Sequence, residues 1–216
     1  MRAFIFDMDG VIVDTQGMHT AATTKALNEF GVPVTQEEIQ KYAGTANGLA
    51  YRESVKKYRV EIPIREVIAR KSALFHAMLD EAIDSGRLQP IEGIPELLAQ
   101  LNEQHIPTAI ASSSSKEMIH HIVDTFHLRD SFAALITGRD LPMSKPDPAV
   151  YTWTAGYLKT PPRDCVVLED AHMGVRAAKA AGMTCIGFQN PTSGNQDLSQ
   201  ADFIVHKISE IDIGRL

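Results

Sequence analysis

Two aspartates stand one residue apart where an apolar run ends: Phe4, Ile5 and Phe6 lead into Asp7 and Asp9 of FDMDGV. A carboxylate taken out of water without a partner is strongly disfavoured, so something must reward these two. Three later apolar runs end in comparable ways. TAIA runs into Ser112, Ser113, Ser114, Ser115 and Lys116; ALIT leads through a loop to Ser144, Lys145 and Pro146; and CVVL ends in Glu169 and Asp170. Brought together, these residues could perform phosphoryl transfer. Asp7, Glu169 and Asp170 are hard oxygen ligands of the kind Mg²⁺ takes beside waters and a phosphate oxygen. The serine run opens a helix, where backbone N–H groups and hydroxyls can hold phosphate oxygens at the positive end of the helix dipole, and Lys145 adds a positive charge. A carboxylate in line with phosphorus can attack to form an aspartyl phosphate. Asp7 is the candidate because it ends its strand. Asp9, placed by strand alternation on the same side, could protonate the leaving oxygen and later take a proton from water. Gly10 allows the sharp turn that follows.

These residues need elements that aim them at one place. The runs AFIF, TAIA, ALIT, CVVL, TCIG and ADFIV read as strands. IPELLAQLNEQ, KEMIHHIVDTF, PAVYTWTAGYL and MGVRAAKAAG between them repeat apolar positions every three or four residues, the mark of an amphipathic helix. Strands without polar residues alternating with such helices imply a parallel sheet covered on both faces. The fold class expected is therefore α/β, a doubly wound, Rossmann-like sheet, whose ligands bind outside the carboxyl ends of its strands. Between Asp14 and about Leu88 the alternation stops, and the helical patterns MHTAATTKALNEF, QEEIQKYA and IREVIARKSALFHAMLDEAI follow one another. The expected organisation is a core of residues 1–14 and 89–216 with an inserted helical cap domain at 15–88. That length suffices for a small four-helix bundle, set over the strand ends as a lid.

Composition narrows the partners. The chain has 216 residues, 44% apolar and 22% charged, with a net charge of -6 and no basic block, which argues for a small molecule rather than nucleic acid. Cys165 and Cys185 lie in apolar runs without metal-ligand spacing and read as buried thiols of a reducing compartment. No stretch approaches the length of about 20 apolar residues that spans a bilayer, and the chain opens directly on a strand pattern. A cytoplasmic monomer without membrane contact is expected. The plainer roles are strand-end carboxylates and helix caps; four such clusters in one chain favour chemistry. The histidines are less telling: no second histidine at ligand spacing accompanies His172.

In order, FDMDGVIVDT, ASSSSK, SKPDP and LEDAHMGVRAAKAAGM resemble the four motifs of the haloacid dehalogenase superfamily. The likeness is to its branch of phosphatases and β-phosphoglucomutases, which carries a helical cap after the first motif. The resemblance implies Asp7 as nucleophile and Asp9 as acid/base, with Mg²⁺ held by Asp7, the Asp9 carbonyl, Glu169 and Asp170. It implies phosphate-holding roles for Ser112 and Lys145; Ser113 and Lys116 of the serine run, Thr15 at the end of the first motif, and Asn47, Arg52 and Lys71 in the cap are further candidate substrate contacts. His19, near the hinge, matches a position where the mutase branch often has histidine. Two aspartates in the first motif point to phosphoryl transfer rather than carbon–halogen cleavage. Asn47 stands nearest to where the mutases have an arginine for the second phosphate of a sugar bisphosphate; Lys71 matches a mutase lysine, and Arg52 could substitute for the arginine. The activity expected is a Mg²⁺-dependent phosphatase acting on a small phosphorylated metabolite such as a sugar phosphate, with β-phosphoglucomutase as the alternative. A receiver-type phosphoacceptor fits less well, because it lacks such an insertion and gains nothing from a second aspartate that promotes turnover. An inactive relative fits less well because no motif position is missing.

Overall fold

The structure, a computed structural model, describes residues 1–42 and 48–216. Six strands form one parallel sheet: β1 (Ala3–Phe6), β2 (Thr108–Ser112), β3 (Ala134–Thr137), β4 (Cys165–Glu169), β5 (Thr184–Phe188) and β6 (Phe203–Val205). Their order is β3-β2-β1-β4-β5-β6. The first crossover leaves β1 on one side and the later strands build on the other, so strand order reverses beside β1, where an open sheet of this kind leaves a crevice for ligands. Every residue of β1, β2 and β4 is buried. That explains their unbroken apolar runs, since a strand covered on both faces has no solvent side to alternate with. Each buried Phe or Ile contributes roughly 1.5–3 kcal/mol, enough for the centre of the sheet to bear the charged groups at its edge.

The chain divides into two compact units, Met1–Val13 with Pro90–Leu216, and Asp14–Gln89. The second is helical among the described residues, with α1 (Gln16–Glu29), α2 (Gln36–Gln40), α3 (Leu49–Tyr58) and α4 (Ile64–Asp84). Helix α1 packs along α4, and Leu27, Val67, Phe75 and Leu79 are buried. The first unit holds the sheet and the remaining helices, α5 (Ile94–Glu103), α6 (Lys116–Thr125), α7 (Ala149–Tyr157) and α8 (His172–Ala180). Helices α5 to α8 match the four amphipathic patterns. Two differences fall in the helical unit: α2 ends at Gln40, short of the QEEIQKYA pattern, and α3 has no counterpart among the expected helices.

Candidate active site

Register places the central charges. Phe6 of β1 lies beside Ile110 of β2 and Leu168 of β4, and the Asp7 N–H donates to the Leu168 carbonyl at 3.0 Å. Asp7 therefore leaves β1 where Glu169 ends β4. The ligand oxygens of Asp7, Glu169 and Asp170 lie within 4.8 Å of one another, and all three residues are buried. Lys145 reaches into this group: its Nζ donates to Asp7 Oδ1 at 2.6 Å, to Glu169 Oε1 at 2.7 Å and to the Ala111 carbonyl at 3.2 Å. All three ammonium hydrogens are thus engaged, and the longest bond, to Ala111, is the one most easily given up to a ligand.

Electrostatics follow from this crowding. Burial pushes the Asp7 carboxyl up, Lys145 pulls it down, and Glu169 and Asp9 push it up again, leaving it at about 7. Burial, then Glu169 and Asp7, hold Asp170 well above the usual carboxylate range. Burial disfavours the Lys145 charge, but Asp7 and Glu169 outweigh it and raise its pKa above the ordinary lysine value. The raised values mark a group of carboxylates short of positive charge, and Asp170 Oδ1 is buried with no hydrogen-bond partner among the described residues. A hard divalent cation fits both observations, since it supplies positive charge and takes such an oxygen as a ligand.

Asp9 is set by a loop rather than by strand alternation. The strand ends at Phe6, and the Met8 carbonyl then accepts from the N–H groups of Val11, Ile12 and Val13, while Asp9 bridges to Val13. Asp9 Oδ2 accepts from Ser114 Oγ at 2.6 Å and from Ser112 Oγ at 3.4 Å. Ser112 Oγ in turn takes the Ser114 N–H at 3.0 Å. Gly10 has a φ of 90°, and a Cβ there would overlap Asp170 Oδ2, so both the turn and the close approach require glycine. The loop after β5 braces the same group. Asn190 Nδ2 donates to the Gly10 carbonyl at 2.9 Å, and Ser193 Oγ donates to Asp170 Oδ2.

The description haloacid dehalogenase-like hydrolase belongs to the family that matches residues 4–188. The chain is a member of that family. Among curated relatives it is 32% identical to hexitol phosphatase B of Escherichia coli (strain K12), covering 89% of this chain and 86% of that one. It is 28% identical to β-phosphoglucomutase of Bacillus subtilis (strain 168), over 99% of this chain and 92% of that one. Among solved structures, CbbY from Rhodobacter sphaeroides in complex with phosphate superposes with a TM-score of 0.80 at 25% identity, over 97% of this chain and 96% of that one.

Seen as a haloacid dehalogenase-like hydrolase, the chain brings Asp7, Asp9, Ser112, Lys145, Glu169 and Asp170 together at the strand ends. The serine run is divided differently from the expectation. Ser113 is exposed, with its carbonyl accepting from Arg139 Nε at 3.2 Å, and Ser114 is the serine that turns inward to Asp9. Lys116 is exposed on the first turn of α6; the cap of that helix is Ser115, whose hydroxyl accepts from the Met118 N–H. In the helical unit Thr15 is buried at the start of α1, and Arg52 is exposed on α3. Lys71 Nζ lies 2.8 Å from His19 Nδ1, and the His19 ring stacks on Phe75 at 4.0 Å. Asn47 lies outside the described residues. Ser193, Asn190 and Tyr151 carried no sequence pattern of their own. The Ser114 side chain could have been found in ASSSSK by noting that a serine hydroxyl readily accepts the N–H two residues on, which turns the chain just after a strand ends.

Proposed function

We propose that this protein is a Mg²⁺-dependent phosphatase that hydrolyses small phosphate monoesters, sugar phosphates foremost, through an aspartyl phosphate on Asp7. The observation that carries the reading is the contact of Lys145 with Asp7 inside the buried Asp7, Glu169 and Asp170 group, at the place where strand order reverses. Similarity to hexitol phosphatase B supports the substrate class. Asp7, Glu169, Asp170 and the Asp9 carbonyl would hold Mg²⁺, which when bound supplies charge neutralisation and Lewis acidity at the phosphate. The chain's own residues account for the chemistry. An Asp7 carboxylate oxygen attacks phosphorus, the phosphorus–oxygen ester bond breaks, and Asp9 gives its proton to the departing oxygen. Water then attacks phosphorus, Asp9 takes the water's proton, and the bond to Asp7 breaks, restoring both aspartates. Ser112 and Ser114 aim Asp9, and Lys145 balances charge on Asp7. The helical unit is the proposed cap domain that selects the substrate, with Thr15, Arg52, Lys71 and Asn47 as its candidate contacts. A cytoplasmic monomer suits two free, buried cysteines and a small-molecule substrate.

A second reading, β-phosphoglucomutase, is favoured by similarity to the Bacillus subtilis enzyme over 99% of this chain. Phosphorus NMR of the protein with Mg²⁺, β-glucose 1-phosphate and a trace of the 1,6-bisphosphate separates the two. Inorganic phosphate is expected; growth of glucose 6-phosphate instead would establish the mutase. Asp7→Asn is expected to abolish turnover of any such ester while the circular dichroism spectrum stays that of the native fold. Turnover surviving in that variant would overturn the nucleophile assignment.

A further inference from the structure

Tyr151 stands on the first turn of α7 and is fully buried among Ala3, Ile5, Val167 and their neighbours in the core against the sheet. Apolar packing alone does not call for a tyrosine at this place. Phenylalanine fills nearly the same volume without a hydroxyl whose burial must be compensated. The hydroxyl donates to Glu169 Oε1 at 2.7 Å, the same oxygen that accepts from Lys145 at 2.7 Å. The other oxygen of Glu169 accepts from the Ala171 N–H at 3.0 Å. Lys145 Nζ also lies 4.8 Å from the centroid of the Tyr151 ring, over its face. One side chain therefore forms the wall behind the ammonium and competes with it for a carboxylate oxygen.

We propose that Tyr151 is a positioning residue, which fixes Glu169 through its hydroxyl and, through the oxygen it shares with Lys145, divides that ammonium between Glu169 and Asp7. Without the hydroxyl, Glu169 Oε1 would keep Lys145 as its one donor among the described residues and would draw the ammonium toward itself and away from Asp7. The carboxylates would then no longer be preorganised for a divalent cation. The inference rests on the reading that Asp7, Glu169 and Asp170 hold such a cation. Partners that orient metal-binding carboxylates typically change affinity or activity by about 10–100-fold when removed.

The test is Mn²⁺ binding to the full-length protein without substrate, followed by electron paramagnetic resonance, for wild type and Tyr151→Phe. The variant should raise the dissociation constant at least about tenfold while its metal-free thermal midpoint stays within a few degrees of wild type. In steady state, the metal concentration for half-maximal turnover should rise with it, and activity should recover in part at high Mg²⁺. Equal Mn²⁺ affinity in the two proteins would overturn the role of Tyr151 and leave the metal site standing. Failure of wild type to bind Mn²⁺ would overturn the metal reading and this inference with it. Should Tyr151→Phe not fold, wild-type protein labelled at tyrosine Cζ gives a second readout. One of the five tyrosine resonances should move on adding Mg²⁺, and five unmoved resonances would overturn the proposal.

Discussion

Single atoms decide much at this site, and Gly174 shows how. It lies on the first turn of α8, and a Cβ there would overlap the carboxylate of Glu169. Replacing a helical glycine by alanine ordinarily stabilises by about 1 kcal/mol. Here overpacking opposes it, at a cost of roughly 1–3 kcal/mol, and the neighbour that must yield is a carboxylate already bonded to Lys145 and Tyr151. Gly174→Ala should therefore lower stability in urea unfolding and weaken divalent-cation binding together; a stabilised variant would contradict the packing described. At this scale the placement of residues was legible in the sequence where a polar side chain ends an apolar run. Asp7, Ser112, Glu169 and Asp170 stand where apolar runs end and Lys145 follows one through a loop, and the structure brings all five to the same strand ends. The residues that hold those side chains in place were not legible. Ser193 reaches Asp170 from 23 positions along the chain, and nothing local distinguishes it from any other loop serine.

Elements were legible in proportion to their burial. β1 is apolar at every position, and β4 at every position before its final Glu169, because both faces are covered, and α5, α6 and α8 show clear apolar stripes. Helix α3, LAYRESVKKY, buries Tyr51 and Ser54 only, so it has no stripe to read. Its limits are instead marked by left-handed residues at Gly48 and Arg59. Its C-terminal end is tied to the start of α2. Thr35 and Glu38 form a capping box, and the Glu38 carboxylate also accepts from Lys57 and from Tyr58 of α3. Bonds from Lys57, from the Thr35 backbone and from Tyr58 hold the Glu38 carboxyl at about 2, below its ordinary value. A carboxylate whose pKa is lower in the folded state stabilises that state above its unfolded pKa, and the contribution disappears as pH falls through the folded value. Glu38→Gln should thus be less stable than wild type at pH 7, and the gap between their thermal midpoints should close between about pH 4.5 and pH 2. A gap that persists unchanged at pH 2 would show that shape, not charge, sets the contribution of Glu38.

On the scale of the whole molecule, the unit containing the sheet concentrates three buried carboxylates and one lysine at its strand ends, a cost its apolar core must bear while no cation is bound. Binding that occurs in the folded state alone adds about 2.7 kcal/mol when the ligand is at a hundred times its dissociation constant. In a unit of this size each kcal/mol moves the thermal midpoint by about 2–4 °C. Mg²⁺ should therefore raise the midpoint by several degrees over protein in chelator, with a shift that grows as the logarithm of its concentration. Asp170→Asn, which alters the carboxylate whose Oδ1 has no hydrogen-bond partner among the described residues, should lose most of that shift. Repulsion among the carboxylates also falls in this variant, so its metal-free midpoint should equal or exceed that of wild type, a pattern that simple damage to the fold would not produce. The Asp14–Gln89 unit has its own core of Leu27, Val67, Phe75 and Leu79 and no member of the acidic group. Hydrogen exchange should accordingly slow with Mg²⁺ at the amides following β1 and β4, and a Mg²⁺ response confined to α1 and α4 would refute the assignment of the cation to the strand ends.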